Sequence, residues 1–249
     1  MRLINFLTIL VLVVSPSVVS AADFPTLKIM TEEYAPYNFK KDNKVQGIAV
    51  DLMVEMLKKV GSSQTVKDIE LLPWARGYKF VQDKPNAVLF SATRTKEREK
   101  LFKWVCPINT LTTEMIALKE KNIKISSNEE LLKYRIGCVS DDVGQQLTVA
   151  AGVPIGKLDR NTSYEFNVKK LNAGRIDLYV SSMSSVSLYA TEMGIDPNKF
   201  ESVYVLDESH LCYAFNPNVS DDTINKLQKA YDELIADGTV DKIKNKYQE

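Results

Sequence analysis

Apolar positions along this chain follow two different periods. Between Val50 and Val60 they fall at 50, 52, 53, 56, 57 and 60, the spacing of a helix that buries one face. Gly61 follows, where a left-handed residue commonly ends a helix. A second stripe runs through Ile224, Leu227, Ala230, Tyr231, Leu234 and Ile235 and stops at Gly238. Shorter helical patterns cover 164–171 and 242–247. Between them lie short apolar-rich runs: 27–30, 69–72, 87–90, 114–118, 135–139 and 211–215. Runs of this length bounded by turn residues predict strands. The alternation of the two patterns is that of an α/β protein. The polar stretch 109–113 reads as a bridge between two strands.

Polar chemistry collects where strands give way to helices. After Ala87–Phe90 come Ser91 and Thr93, then Thr95 as an N-cap with Arg98 three residues on, so a helix is expected to start here. Open α/β sheets place ligands at such strand exits. A helix start offers free N–H groups to an anion, and an arginine adds a fork for a carboxylate. Taken alone, Arg98 reads instead as a surface arginine paired with Glu97 or Glu99. Two similar junctions follow other strands: Pro73-Trp74-Ala75-Arg76 and Ser140-Asp141-Asp142-Val143-Gly144. The loop 31–46 is rich in aromatics, with Tyr34, Tyr37 and Phe39 around Pro36.

The first residues change the picture of where the chain works. Arg2 precedes an apolar run from Ile4 to Val14, broken by Ser15-Pro16-Ser17, and Ser20-Ala21-Ala22 offers small residues for cleavage. This is the pattern of a cleaved secretory signal peptide, cut after Ala21 or Ala22 and too short to span a bilayer. The remaining 227 residues carry 31 basic and 32 acidic side chains. No basic cluster marks a nucleic-acid surface. One histidine and three cysteines leave no typical zinc set, and His210 is expected to have a structural or solvent role. G-x-S-x-G, Walker and G-x-G-x-x-G motifs are absent. No cofactor, metal or catalytic constellation is therefore expected. An oxidising compartment permits one disulfide among Cys106, Cys138 and Cys212.

Thr95-Lys96-Glu97-Arg98, followed by Phe102-Lys103-Trp104-Val105, resembles the T-x-E-R segment of the family 3 extracellular solute-binding proteins, periplasmic receptors of polar amino-acid ABC importers. Further matches are Glu33–Tyr37 with Gly47–Leu52, then Gly174–Leu178, then Asp237-Gly238 with Ile243–Tyr247. The resemblance covers the whole chain beyond the signal peptide. It implies a type II periplasmic binding protein: two lobes, each a mixed, mostly parallel sheet flanked by helices. Lobe I would be discontinuous, 23–110 with 205–249, and lobe II would span 111–204, joined by a two-crossing hinge. It also implies a Cys106–Cys212 disulfide between neighbouring strands, with Cys138 a buried thiol.

The resemblance implies site residues as well. Arg98 would grip the ligand's carboxylate, helped by Ser91 and Thr93, and Tyr34 would pack on the ligand. Pro73-Trp74-Ala75-Arg76 marks a divergent branch, with Trp74 and Arg76 as further candidates. Two arginines in the cleft would favour a ligand with more than one negative group. Two departures stand out. Asp142 and Val143 replace the hydroxyls of the usual Gly-Thr-Thr, and an ionised carboxylate cannot donate a hydrogen bond. Either backbone amides alone serve there, or the aspartates meet a cationic part of the ligand. Ser182 stands where amino-acid binders of the family carry the Asp that pairs with the ligand's ammonium. A hydroxyl does not neutralise a buried cation, so Asp142, Glu33 or Asp207 would have to substitute. The expected function is a monomeric periplasmic receptor that captures a small carboxylate-bearing ligand by hinge closure and delivers it to an ABC permease. A dehydratase-like enzyme and a receptor for a signalling partner are the alternatives on this scaffold.

Overall fold

The structure is a computed structural model that describes residues 24–247, so the signal-peptide segment lies outside the described residues. The strands are β1 (Lys28–Thr31), β2 (Phe39–Lys41), β3 (Lys44–Gln46), β4 (Ile69–Leu71), β5 (Ala87–Arg94), β6 (Lys103–Leu118), β7 (Ile136–Val139), β8 (Leu158–Asn161), β9 (Leu178–Ser181) and β10 (Phe200–Phe215). The helices are α1 (Ile48–Lys59), α2 (Trp74–Asp83), α3 (Val143–Ala150), α4 (Tyr164–Asn172), α5 (Met183–Glu192), α6 (Asp221–Ala236) and α7 (Thr239–Lys246).

Eight strands form one sheet in the order β4-β1-β5-β10-β6-β9-β7-β8. β1 pairs in parallel with β4 and β5, and β7 pairs in parallel with β8 and β9. The antiparallel pair β6·β10 joins these two groups, which form the two lobes. Each of its strands has 16 residues, roughly 50 Å when extended. The lobes attach to different ends of the pair. β5 pairs with His210–Phe215 of β10, and β9 pairs with Glu114–Ile116 of β6. Among the described residues, two strands cross between the lobes.

Two local expectations change here. The stretch 109–113 is not a bridge between strands but the middle of β6, and 200–206 with 211–215 is one strand. Asn109 pairs with Leu211 and Thr113 with Asp207, so the ladder satisfies the backbone, while of the side chains only Thr113 is fully buried. Apolar patterning cannot reveal a strand whose one buried position here is a threonine. Likewise 95–101 is a series of turns, not a helix. The Arg98 N–H reaches the Thr95 carbonyl at 3.2 Å and no ladder follows. Only Thr95 and Arg98 are buried in this segment, so there is no apolar face to stabilise a helix of two turns.

The helical stripes pack as their periods require, with Val50, Leu52, Met53, Met56 and Leu57 of α1 all buried. α6 buries its stripe through Leu234 but leaves Ile235 exposed. The start of α1 also fixes the aromatic loop. Ile48 N–H donates to the Pro36 carbonyl at 3.1 Å and Ala49 N–H to the Tyr37 carbonyl at 2.8 Å. Gly47 permits this approach with φ of 131°, and a Cβ there would sit 2.4 Å from the Tyr37 oxygen. Gly47→Ala is expected to cost at least about 2 kcal/mol and to loosen the loop that carries Tyr34. Urea denaturation checks the first effect; a loss below about 0.5 kcal/mol would contradict it.

Cys106 and Cys212 are joined by a disulfide across the β6·β10 pair, and Cys138 is a buried free thiol. The bridge closes a loop with a sequence separation of 106, which contains the whole of the second lobe. Constraining so long a loop in the unfolded chain is worth roughly 4–5 kcal/mol in the entropic account. The double variant Cys106→Ser/Cys212→Ser should lose 2–5 kcal/mol of that order in denaturant titration; an unchanged midpoint would show that the bridge constrains little.

Candidate functional site

Seven chain segments converge on a cavity of about 440 Å³, counted out to its open mouth, between the lobes. The first lobe supplies Glu32 and Tyr34 beyond β1, Trp74 at the start of α2, Ser91 and Thr93 of β5, and Arg98. The second supplies Asp142, Val143 and Gly144 at the start of α3, Tyr164 at the start of α4, and Val180, Ser181 and Ser182 at the end of β9. Leu111 and Thr113 of β6 line its floor. The parallel strands thus present their carboxyl ends to one space, the usual ligand position in open α/β sheets.

Arg98 is 1% exposed. Its Nε donates to Gln146 Oε1 at 2.9 Å and its Nη1 to the Thr93 carbonyl at 3.2 Å. The guanidinium carbon lies 5.2 Å from the Trp74 ring centroid and 4.9 Å from that of Tyr78. Nη2 is buried without a hydrogen-bond partner among the described residues. Neutral oxygens and aromatic faces therefore hold the side chain in place. Burial is the main influence on the guanidinium and lowers its pKa. What this cation lacks is an anion with two oxygens.

Backbone shape aims the hydroxyls. Cys212 pairs with Ala92 and Tyr213 with Phe90, so Ser91 is the extra residue of a β-bulge and sits at φ 59°. The bulge re-aims the strand's exit so that Ser91 and Thr93 both line the cavity. Across the cleft Asp141 is also left-handed, at φ 60°. It turns the chain so that Asp142 caps α3, with Oδ1 accepting from Gln145 N–H at 2.9 Å. Non-glycine residues in this region store strain; here Ser91 lines the cavity and Asp141 immediately precedes the lining residue Asp142.

The lobes are shut on one another. Trp74 Nε1 donates to the Asp141 carbonyl at 2.7 Å, and Tyr164 OH donates to Glu32 Oε1 at 3.1 Å. Ser185 Oγ donates to Tyr34 OH at 3.1 Å, and Tyr34 stacks on Tyr164 at 4.8 Å. This closure buries two carboxyls. Asp142 is pushed up to about 7, mainly by burial, with the Gln145 amide and Arg98 acting in the opposite sense. Glu32 is raised well above the carboxylate range by burial and then by Asp142, with Tyr164 and Arg98 opposing.

The family description "bacterial extracellular solute-binding proteins, family 3" matches residues 27–249. The chain belongs to that family. A probable histidine-binding protein of Campylobacter jejuni is 24% identical over 228 residues, 90% of this chain and 85% of its own. An ancestral arginine-binding protein bound to glutamine superposes with a TM-score of 0.71 at 25% identity, covering 89% of this chain and 96% of that one. The substrate-binding protein of a Streptococcus pneumoniae ABC uptake transporter, with bound histidine, gives 0.74 at 16% identity, covering 89% and 91%. The solute-binding protein described here thus has the two-lobed periplasmic binding protein fold.

Within this solute-binding protein Tyr34, Trp74, Ser91, Thr93, Arg98, Asp142, Val143 and Ser182 all line the one cavity. Arg76 does not. It is exposed on α2, because residues two apart on a helix point in different directions and Trp74 takes the inward one. No second arginine therefore enters the cleft. Ser182 Oγ accepts from Ser185 N–H at 3.3 Å as the N-cap of α5, a neutral role. Glu33 is exposed, with its carboxylate accepting from Lys40 N–H at 3.0 Å. Asp207 accepts from Ser209 Oγ on β10, outside the lining. Asp142 does enter, together with two residues that sequence reasoning passed over. Glu32 had a signal: in extended chain it shares a face with Tyr34, two residues on. Tyr164 opens α4 behind its Ser163 cap, the same strand-to-helix position as Trp74 and Asp142.

Proposed function

We propose that this solute-binding protein is a periplasmic receptor, exported by its signal peptide, that captures a small carboxylate-bearing ligand, an amino acid or a relative, between its lobes and hands it to an ABC permease. Arg98 carries the reading. A guanidinium is buried with one nitrogen unpartnered and is oriented entirely by neutral groups and rings. A ligand carboxylate completes it as a bidentate, charge-assisted pair. Ser91 and Thr93 add hydroxyls beside it. The names of the relatives, which mention histidine, arginine and glutamine, support the amino-acid class.

Closure follows from the connection. The lobes, 23–110 with 205–249 and 111–204, rotate about the two crossing strands. Contacts such as Trp74 to Asp141 and Tyr164 to Glu32 form only when they meet. A ligand shifts this equilibrium because it binds the closed state better than the open one.

The test is a thermal-shift and calorimetric screen of the mature protein against neutral, basic and acidic amino acids, dicarboxylates, short peptides and polyamines. A ligand that binds only the native state raises the melting point by mass action. The reading expects a carboxylate-bearing hit that is recovered chemically unchanged after incubation. Hits confined to polyamines would overturn it, and turnover of the hit would put an enzyme on this scaffold instead.

A further inference from the structure

The cleft holds more carboxyl groups than its arginine answers. Glu32 and Asp142 face the cavity from opposite lobes, at 5% and 6% exposure. Neither makes an ion pair with Arg98, whose hydrogen bonds go to Gln146 and Thr93. Glu32 Oε1 accepts from Tyr164 OH, and the Asp142 carboxyl accepts from backbone amides at the start of α3, Gln145 N–H among them, so neither acid has a cationic partner in hydrogen-bond contact among the described residues. Arg98 lines the same space, and its Nη2 has no hydrogen-bond partner among the described residues. A single closed cavity therefore asks for an anion at Arg98 and for a cation between Glu32 and Asp142.

We propose that Glu32 and Asp142 together receive a cationic group of the ligand, so that the ligand carries both a carboxylate for Arg98 and an ammonium, guanidinium or imidazolium held between the two lobes. This rests on the function proposed above and names the ligand class of that site. It moves the cation away from residue 182, whose hydroxyl is committed to capping α5. It also excludes acidic amino acids and simple dicarboxylates, which would add negative charge to a pair already short of countercharge. A cation gripped by one carboxyl from each lobe is bound only in the closed form, so recognition and closure become one event.

Protons should leave as the ligand enters. Asp142 is surrounded by Arg98, Glu32, Asp141, Tyr164, Tyr179 and Cys138, and Glu32 by Tyr164, Asp142, Arg98, Tyr34 and Tyr189. Arg98 is the cation that acts on both acids; burial holds the Asp142 proton on up to about 7 and raises Glu32 in the same direction. A ligand cation favours the ionised forms. Affinity then rises with pH through about 7, and below it binding releases protons.

The experiment titrates the mature protein and its Glu32→Gln, Asp142→Asn and Ser182→Asp variants by calorimetry with L-histidine, L-arginine, L-glutamine, L-glutamate, succinate and 3-(imidazolyl)propionate, in buffers of different ionisation heat at pH 5.5 and 8. The substitutions preserve structure: Asn still caps α3, and Gln still accepts from Tyr164. The proposal expects a bound amino acid of neutral or positive charge and no binding of glutamate or succinate. It expects at least a tenfold loss in Glu32→Gln and in Asp142→Asn, less proton release in either, and no gain in Ser182→Asp. Three results would overturn it while the carboxylate reading stands: an amine-free acid that binds as tightly as its amino acid, Gln and Asn variants with wild-type affinity, or tighter binding by Ser182→Asp. If no carboxylate binds at all, the carboxylate reading fails first and takes this proposal with it.

Discussion

Arg98→Met should abolish capture of the ligand while leaving the ligand-free protein at least as stable as the wild type. The two halves of this result have one cause. A buried guanidinium without a carboxylate partner is a cost to the fold, because burial removes its hydration and depresses its pKa. Replacing buried charge with an apolar side chain of similar length is commonly neutral, or stabilising by about 1–4 kcal/mol. The groups that lose a donor are the Thr93 carbonyl and Gln146, and Gln146 is only half-buried and can turn to water. The stack on Trp74 and Tyr78 survives as an apolar contact. For the ligand the sign reverses. Its carboxylate would enter a closed cavity whose only nearby charges are Glu32 and Asp142, both acidic. Losing one member of a buried pair costs about 3–5 kcal/mol, roughly a hundredfold to several thousandfold in affinity. Calorimetry gives the affinity and a thermal melt gives the stability. Binding within tenfold of wild type would remove Arg98 from the site; lost binding with a collapsed melting point would mean that Arg98 holds the fold together rather than the ligand.

The residues of this site differ in how far the sequence exposes them. Helical stripes such as 50–60 are legible because burial of one face imposes the period directly. The long strands β6 and β10 are not, because their middle residues pair backbone to backbone with little side-chain burial. Arg98 could be picked out only through the resemblance around Thr95 and Trp104, since a charged side chain in a polar segment is ordinarily solvated. Even so its local structure is turns, not a helix start. The bulge at Ser91 leaves no mark in composition: one extra residue in a strand depends on the register of a partner 120 residues away. Arg76 was misplaced for a simple reason, since helical geometry forbids it from sharing a direction with Trp74. Glu32 was missed although the same kind of argument, applied to an extended segment, would have put it beside Tyr34. Inward direction was legible wherever one neighbour was already placed and the local period known. Burial of charge across the cleft was not, because it arises only when two distant segments close on each other.

That burial leads to the second large effect: without ligand, the protein should be more open at pH 8 than at pH 5. In the closed form Asp142 stands at about 7, against an ordinary value near 3.8, and Glu32 is displaced in the same direction. For an acid raised by closure, the closed state binds the proton more tightly than the open or unfolded state. Its contribution to closure is therefore fully present below about pH 4 and is lost as pH rises through about 7. At 1.36 kcal/mol per pH unit, Asp142 alone accounts for about 4 kcal/mol across that window, on the order of a thousandfold in the closing equilibrium. The lobes have a cheaper response than unfolding, since opening the cleft returns both carboxyls to water. Small-angle scattering of the ligand-free protein should show a radius of gyration that grows between pH 5 and pH 8, and the double variant Glu32→Gln/Asp142→Asn should stay compact at both. A radius independent of pH in the wild type would refute the effect. If it holds, the ionised pair does work at neutral pH that an apolar cleft would not. It keeps the empty receptor open for loading, and a ligand cation removes the repulsion that kept it so. The unpartnered arginine nitrogen and the two acids then share one logic: each is unfavourable in an empty closed cleft at neutral pH and offset in a filled one, which is the differential affinity that closure on a ligand requires.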